Sequence, residues 1–147
     1  MRVILDTNVF LSGIFFSGAP HEILKAWRTG RLTLVLSPEI WEEYERAGQE
    51  LQREHPGIDI APFLELVALR CRMVGSPNLP ERVCTDRNDD MFLACALASQ
   101  TPIVVSGDKA LRRASGYQGV IVMSPREYLD KILKDPNSGM KEKPSVF

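Results

Sequence analysis

Four carboxylates stand beside buried elements: Asp6, Asp90 and Asp108 where one stops or starts, and Glu43 on the inner border of a helix. Asp6 ends Val3-Ile4-Leu5, a branched, apolar run with no polar interruption, the pattern of a strand covered on both faces. Asp108 follows a second such run, Ile103-Val104-Val105-Ser106, and Gly107. Asp90 opens Met91 to Ala98, which is apolar on every side and reads as a helix buried all round, with acids at its first turn to suit the dipole. In open α/β sheets ligands bind beyond the carboxyl ends of the strands. The expectation is that these acids return to one edge.

Acids gathered at one edge repel each other. Two unit charges about 5 Å apart at an effective dielectric of about 20 repel by roughly 3 kcal/mol. Either some are protonated or a cation sits among them. The ligands would be hard oxygens, which select magnesium or manganese rather than zinc. Magnesium uses few carboxylates and keeps waters, so positions stay open for a phosphate oxygen and an attacking water.

The elements that must carry these groups alternate along the chain. After Asn8 comes an apolar segment, Val9 to Phe16, then the loop signal Ser17-Gly18-Ala19-Pro20. A helix starts at Pro20, presents Ile23, Leu24, Ala26 and Trp27 as its apolar face, and ends at Thr29-Gly30. Leu32 to Leu36 reads as the second strand. Ser37-Pro38-Glu39 combines a serine cap, a first-turn proline and an acid, and starts a helix to about His55, where Pro56-Gly57 stops it. Ile40, Tyr44, Ala47 and Leu51 share one face of it. At about 100° per residue Glu43 lies only about 60° from that face, whereas Glu39, Glu42 and Glu45 point further out. Ala61 to Val74 predicts another helix, and Leu79 to Cys84 a connection with a short extended piece. A short helix spans Lys109 to Ala114 and a strand Val120 to Met123, and Ser124-Pro125 caps a last helix to about Lys134. The expected architecture is a three-layer α/β/α domain over 1–134 with a central parallel sheet. Residues 135–147 read as a disordered tail.

Composition narrows the class. The chain has 147 residues, 44% apolar and 25% charged, ordinary for a soluble globular protein. No apolar run approaches the roughly 18 residues of a membrane helix, and Met1-Arg2-Val3 has no signal-peptide pattern. Three cysteines without a C-x-x-C argue against a disulfide framework or zinc ribbon and fit a reducing cytoplasm. At a net charge of -1 bulk charge does not advertise binding of a polyanion, so phosphate contact falls to local basic residues or a bound cation.

The motifs themselves resemble those of PIN domains, the PilT N-terminus family. Leu5-Asp6-Thr7-Asn8-Val9 is similar to its opening signature and Ser37 to Tyr44 to its second motif, with the acid at Glu43. Asp86-Arg87-Asn88-Asp89-Asp90-Met91-Phe92-Leu93-Ala94 resembles the third, and Val104 to Leu111 the fourth. Met123 to Leu129 is similar to the end of the bacterial and archaeal toxin-component branch. The resemblance covers about residues 1 to 133 and implies a magnesium- or manganese-dependent nuclease of single-stranded RNA. It implies Asp6, Asp90, Asp108 and Glu43 as metal ligands and catalytic acids. It gives supporting roles to Asn8, which orients the first acid, and to Ser106 near the metal; of Asp86 and Asp89 one reads as the helix cap, with Asp89 the stronger candidate for a supporting role. It also implies a cognate antitoxin as partner, a homodimer and a cytoplasmic location.

Each assignment has a bland counterpart: a turn residue for Asp6 and Asn8, a helix cap for Asp108, a solvated acid for Glu43. Lys109, Arg112 and Arg113 are either phosphate contacts or a solvated face. Trp27 and Trp41 read as packing residues rather than base platforms. The competing functions are a non-catalytic PIN scaffold that binds RNA or protein and a phosphoacceptor receiver domain. The receiver needs a second acid beside the first strand, and Glu43 on a helix does not suit it. Haloacid-type phosphatases need two acids one residue apart, where Asp6-Thr7-Asn8 offers an asparagine.

Overall fold

The computed structural model describes residues 1–75, 78–84 and 87–134, with the backbone alone at Arg87. Asp86 and the tail read over 135–147 lie outside the described residues. Strand β1 (Arg2–Leu5) runs into helix α1 (Thr7–Phe15) and then α2 (Ala19–Arg28). Next come β2 (Thr33–Leu36), α3 (Pro38–Glu54), α4 (Ala61–Arg70) and β3 (Arg72–Met73). The second half holds α5 (Arg87–Ser99), β4 (Ile103–Val105), α6 (Lys109–Arg112), β5 (Ile121–Met123) and α7 (Pro125–Tyr128), which continues as a π-helical turn, Leu129–Leu133.

The five strands form one parallel sheet in the order β3-β2-β1-β4-β5. Successive strand residues face opposite sides. Val3, Ile4 and Leu5 are all fully buried, as are Val104 and Val105, so helices cover both faces of the central strands. That is the three-layer arrangement expected from the alternating pattern.

Two contacts fix the helices around β1. Gly13 of α1 crosses α2 so closely that a Cβ there would lie 2.6 Å from Leu24 Cγ and 2.7 Å from the Pro20 carbonyl. Tyr44 of α3, fully buried, stacks on Phe10 of α1 with ring centroids 4.3 Å apart, and its hydroxyl donates to the Leu5 carbonyl at 2.5 Å. A buried phenol needs such a partner, and this one ties α3 to the last residue of β1.

The structure departs from the sequence expectations in local ways. Of the apolar segment, Val9 to Phe15 lies in a true helix, α1, capped by Asp6, and Phe16 ends it in extended backbone. The helix expected over Ala61 to Val74 ends at Arg70, and Arg72 and Met73 pair instead with Val35 and Leu36 as an exposed edge strand. Both residues are good helix formers, so the parallel pairing overrides local preference. Leu79 to Cys84 contains no strand among the described residues. No helix among the described residues is long and apolar enough to cross a membrane.

Candidate active site

The chain winds from β1 outward to β2 and β3, then returns to lay β4 on the other flank of β1. The winding therefore reverses between β1 and β4, and ligands of open sheets sit outside the carboxyl ends at such a reversal. Asp6 and Ser106 are the first residues past those two strands. The register Leu5 to Val105 sets them side by side, and the Asp6 N–H continues the ladder by donating to the Val105 carbonyl at 3.0 Å.

Asp6 is 5% exposed, and both its carboxylate oxygens are engaged. Oδ1 accepts from the Val9 N–H at 2.8 Å, capping α1, and Oδ2 accepts the hydroxyl of fully buried Ser106. The Ser106 oxygen in turn accepts the Asp108 N–H at 3.0 Å, and Asp108 Oδ1 accepts from the Ala110 N–H at 2.9 Å to cap α6. A single hydroxyl thus links the first and fourth motifs. Burial raises the Asp6 pKa above its usual value; the bonds from Ser106 and Val9 oppose that rise, and the charge of Asp108 adds to it. No cationic side chain pairs with Asp6 among the described residues.

Asp90 reaches back from the first turn of α5 to the loop before it. Its Oδ2 accepts from the Val83 N–H at 3.0 Å and its Oδ1 from the Cys84 N–H at 2.6 Å. The Cys84 thiol is pushed up to about 12 by burial first, then by its bond to Asp90 and the charges of Asp90, Asp89 and Asp108. Cys84 therefore lies in the field of three of the candidate acids. Asp90 also lines a cavity of about 530 Å³ with Ser37, Glu39, Arg82 and Met91.

Glu43 stands apart from this group. Its carboxylate forms a two-pronged ion pair with Arg46, at 2.8 and 2.9 Å. It lines a second cavity of about 360 Å³ with Glu39, Asn88 and Met91. Glu39 is exposed, as helical spacing expected, and it also lines both cavities, next to Asp90 in one and Glu43 in the other. The signal was available: Glu39 and Glu43 are four apart on one helix and share a face. Asn8 is exposed, and its side chain makes no hydrogen bond to Asp6. Asp89 is half-buried beside Cys84's field. Tyr44, seen in the sequence only as a core residue, positions the strand end that bears Asp6.

Asp6, Asp90 and Asp108 offer hard oxygens, and each carboxylate oxygen that accepts one N–H or O–H keeps a further lone pair. The buried Asp6 charge, raised in pKa and without a cation, is the kind of group that a hard divalent ion relieves. In kind, the donor set fits magnesium or manganese. As they stand, no three such groups among the described residues are gathered tightly enough to hold one ion.

A family model described as "PIN domain" matches residues 2–110, a span that takes in Asp6, Glu43, Asp90 and Asp108. An uncharacterized protein of Methanocaldococcus jannaschii, MJ1680, is 26% identical over 149 aligned positions, which cover 91% of this chain and 93% of that one. Among solved structures, that of the PIN domain endonuclease Utp24 aligns over 84% of each chain with a TM-score of 0.49 and 18% identity. With the family model matched over most of the chain, from the first motif into the fourth, the chain belongs to the PIN domain family.

Proposed function

We propose that the protein is a metal-dependent ribonuclease that hydrolyses phosphodiester bonds of single-stranded RNA, and that it acts as the toxin of a toxin–antitoxin pair. The observation that carries the first part is the Asp6–Ser106–Asp108 chain at the reversal point of the sheet, with Asp90 adjoining it through Cys84. Magnesium or manganese is the proposed ion, held by Asp6, Asp90 and Asp108 with Glu43. When bound, it would supply charge to a phosphate oxygen and lower the pKa of a water.

The chain's own groups narrow the mechanism. The Ser106 hydroxyl is spent as donor to Asp6 and acceptor from Asp108, at a fully buried position, so it does not serve as a nucleophile. Acid–base catalysis by two histidines is unsupported as well. His21 Nδ1 is bonded to the Gly13 carbonyl at 3.0 Å, and the His55 ring packs against Phe15 and Phe16. Water is the proposed nucleophile. Ser106 and the Val9 amide hold the Asp6 carboxylate in one orientation, and the paired Val83 and Cys84 amides do the same for Asp90.

The toxin role rests on the likeness of Met123 to Leu129 to the toxin-component branch, and with it go an antitoxin partner, a homodimer and a cytoplasmic site. Purified protein with manganese or magnesium is expected to cut single-stranded RNA, and Asp6→Asn to abolish cutting. Silence with both metals removes the activity. Expression is expected to arrest growth, relieved by a neighbouring gene product; unimpeded growth removes the toxin role alone. The Arg46 ion pair that occupies Glu43 favours a second reading, a non-catalytic PIN scaffold. Calorimetry that detects no heat with either metal would select it.

A further inference from the structure

Another cavity, of about 400 Å³, opens beside the Val83–Cys84 pair that Asp90 holds, within the roughly 300–1,000 Å³ of small-ligand sites. Its walls are Val83 and Cys84, then Ala110, Arg113 and Ala114, then Tyr117. The first pair is gripped through its amides by Asp90, and the helix carrying Ala110 is capped by Asp108. The cavity is therefore wedged between the segment held by one candidate acid and the helix started by another.

Three features give it a chemistry. Tyr117 is half-buried and lines the wall, with its hydroxyl tied at the rim by Gln118 Nε2 at 3.1 Å and by Glu81 at 3.4 Å. Arg113 is exposed, and its side chain has no hydrogen-bond or ion-pair partner among the described residues. The turn that presents Tyr117 is strained: Gln118 has a φ of 47° between Gly116 at 99° and Gly119 at 86°. A left-handed non-glycine residue costs free energy, and such residues collect at binding sites. An aromatic wall, small alanines beside it and an unpaired guanidinium fit a flat ring attached to an anion.

We propose that this cavity is a nucleobase subsite, in which a base of single-stranded RNA next to the cleaved phosphate stacks on Tyr117 while Arg113 holds an adjoining phosphate. The proposal rests on the ribonuclease reading for its substrate. Stacking accepts any base, so the subsite sets where the strand lies rather than which sequence is cut.

The test is binding of a fluorescent single-stranded RNA, measured by anisotropy in chelator, with one nucleotide at a time replaced by an abasic analogue. Tyr117→Leu is expected to weaken binding roughly 5- to 150-fold, the usual worth of one stacked base, and Tyr117→Phe to bind as the native protein does. One abasic position is expected to cost the native protein affinity and to cost Tyr117→Leu nothing further. Should Tyr117→Leu lose its fold, Arg113→Ala stands in: for every phosphate the protein no longer holds, the salt slope of single-strand binding becomes shallower by about 0.7. Unchanged binding by Tyr117→Leu, an abasic penalty that survives in it, an unchanged salt slope in Arg113→Ala, or no binding of RNA overturns the subsite. Cleavage assays run alongside separate the two ideas. Cutting with an unaltered KM in Tyr117→Leu sinks the subsite alone, and Tyr117-dependent binding without any cutting sinks the nuclease alone.

Discussion

Ser106→Ala removes one oxygen from a fully buried position and leaves two groups without their partner. The Asp6 carboxylate loses its hydroxyl donor, and the Asp108 N–H loses its acceptor. Asp108 is exposed, so water replaces the second bond at little cost. The first bond is made to a buried charge. Hydrogen bonds to charged groups contribute about 1.5–3 kcal/mol and neutral ones about 0.5–1.5 kcal/mol. The expected loss at neutral pH is about 2 kcal/mol, a drop in Tm of about 4–8 °C for a chain of this size. Its pH dependence identifies the cause. Burial already raises the folded pKa of Asp6 above 3.8, and the Ser106 bond opposes that rise, so the variant's folded pKa climbs further. A folded state with the higher pKa keeps a proton that the unfolded chain has released, and stability falls as pH rises through that interval. The penalty of the substitution is therefore full at neutral pH. It shrinks as pH is lowered through the folded titration of Asp6, which lies above 3.8, to the remainder of a neutral bond. Urea unfolding in chelator across a pH series measures it. A penalty that is flat with pH, or that grows toward acid, refutes the account.

The same burial predicts that Asp6→Asn, in chelator, unfolds at higher urea than the native protein at neutral pH. The gain should fade as pH falls and Asp6 takes up its proton; a variant less stable at neutral pH contradicts burial as the leading cause. Manganese should raise the Tm of the native protein and leave that of Asp6→Asn unmoved, because an ion that binds only the folded state stabilises it. Arg46→Ala releases Glu43 from its ion pair and should lower the manganese concentration for half-maximal cleavage, with Tm little changed; an unchanged metal requirement removes Glu43 from the ion's neighbourhood. Gly13→Ala should destabilise by overpacking, about 1–3 kcal/mol against the roughly 1 kcal/mol that alanine adds to a helix interior, and a raised denaturation midpoint would show that Leu24 yields freely.

The elements beside Asp6, Asp108 and Asp90 were legible because most of their residues are buried, although Ala98 is exposed and Met91, Leu97 and Ile103 are half-buried. Val3 to Leu5, Ile103 to Val105 and Met91 to Ala98 each form an uninterrupted apolar run with a carboxylate at one end, and that run is what a buried element looks like. Ser37-Pro38 likewise announced α3, because a cap and a first-turn proline are local chemistry. What stayed hidden depends on pairing at a distance. Arg72 and Met73 become a strand only because β2 offers a free edge. Glu43 was expected over the sheet edge from its helical angle, but angle alone does not show that Arg46, one turn on, takes up its carboxylate. The hydrogen bond from Tyr44 to Leu5 joins residues 39 apart in sequence and leaves no trace in either segment. Ser106 was legible as a neighbour of the acids, but not as the single hydroxyl that joins two of them.

Strand β1 occupies the middle of the sheet, yet the hydroxyl that meets its terminal carboxylate comes 100 residues later. In synthesis the Asp6 carboxylate emerges 100 residues ahead of its hydroxyl partner. Through that interval the growing chain acquires Glu43 and then Asp90 but cannot close the contact between Asp6 and Ser106. A chain cut short before Ser106 keeps the Asp6 carboxylate but has no hydroxyl to hold it.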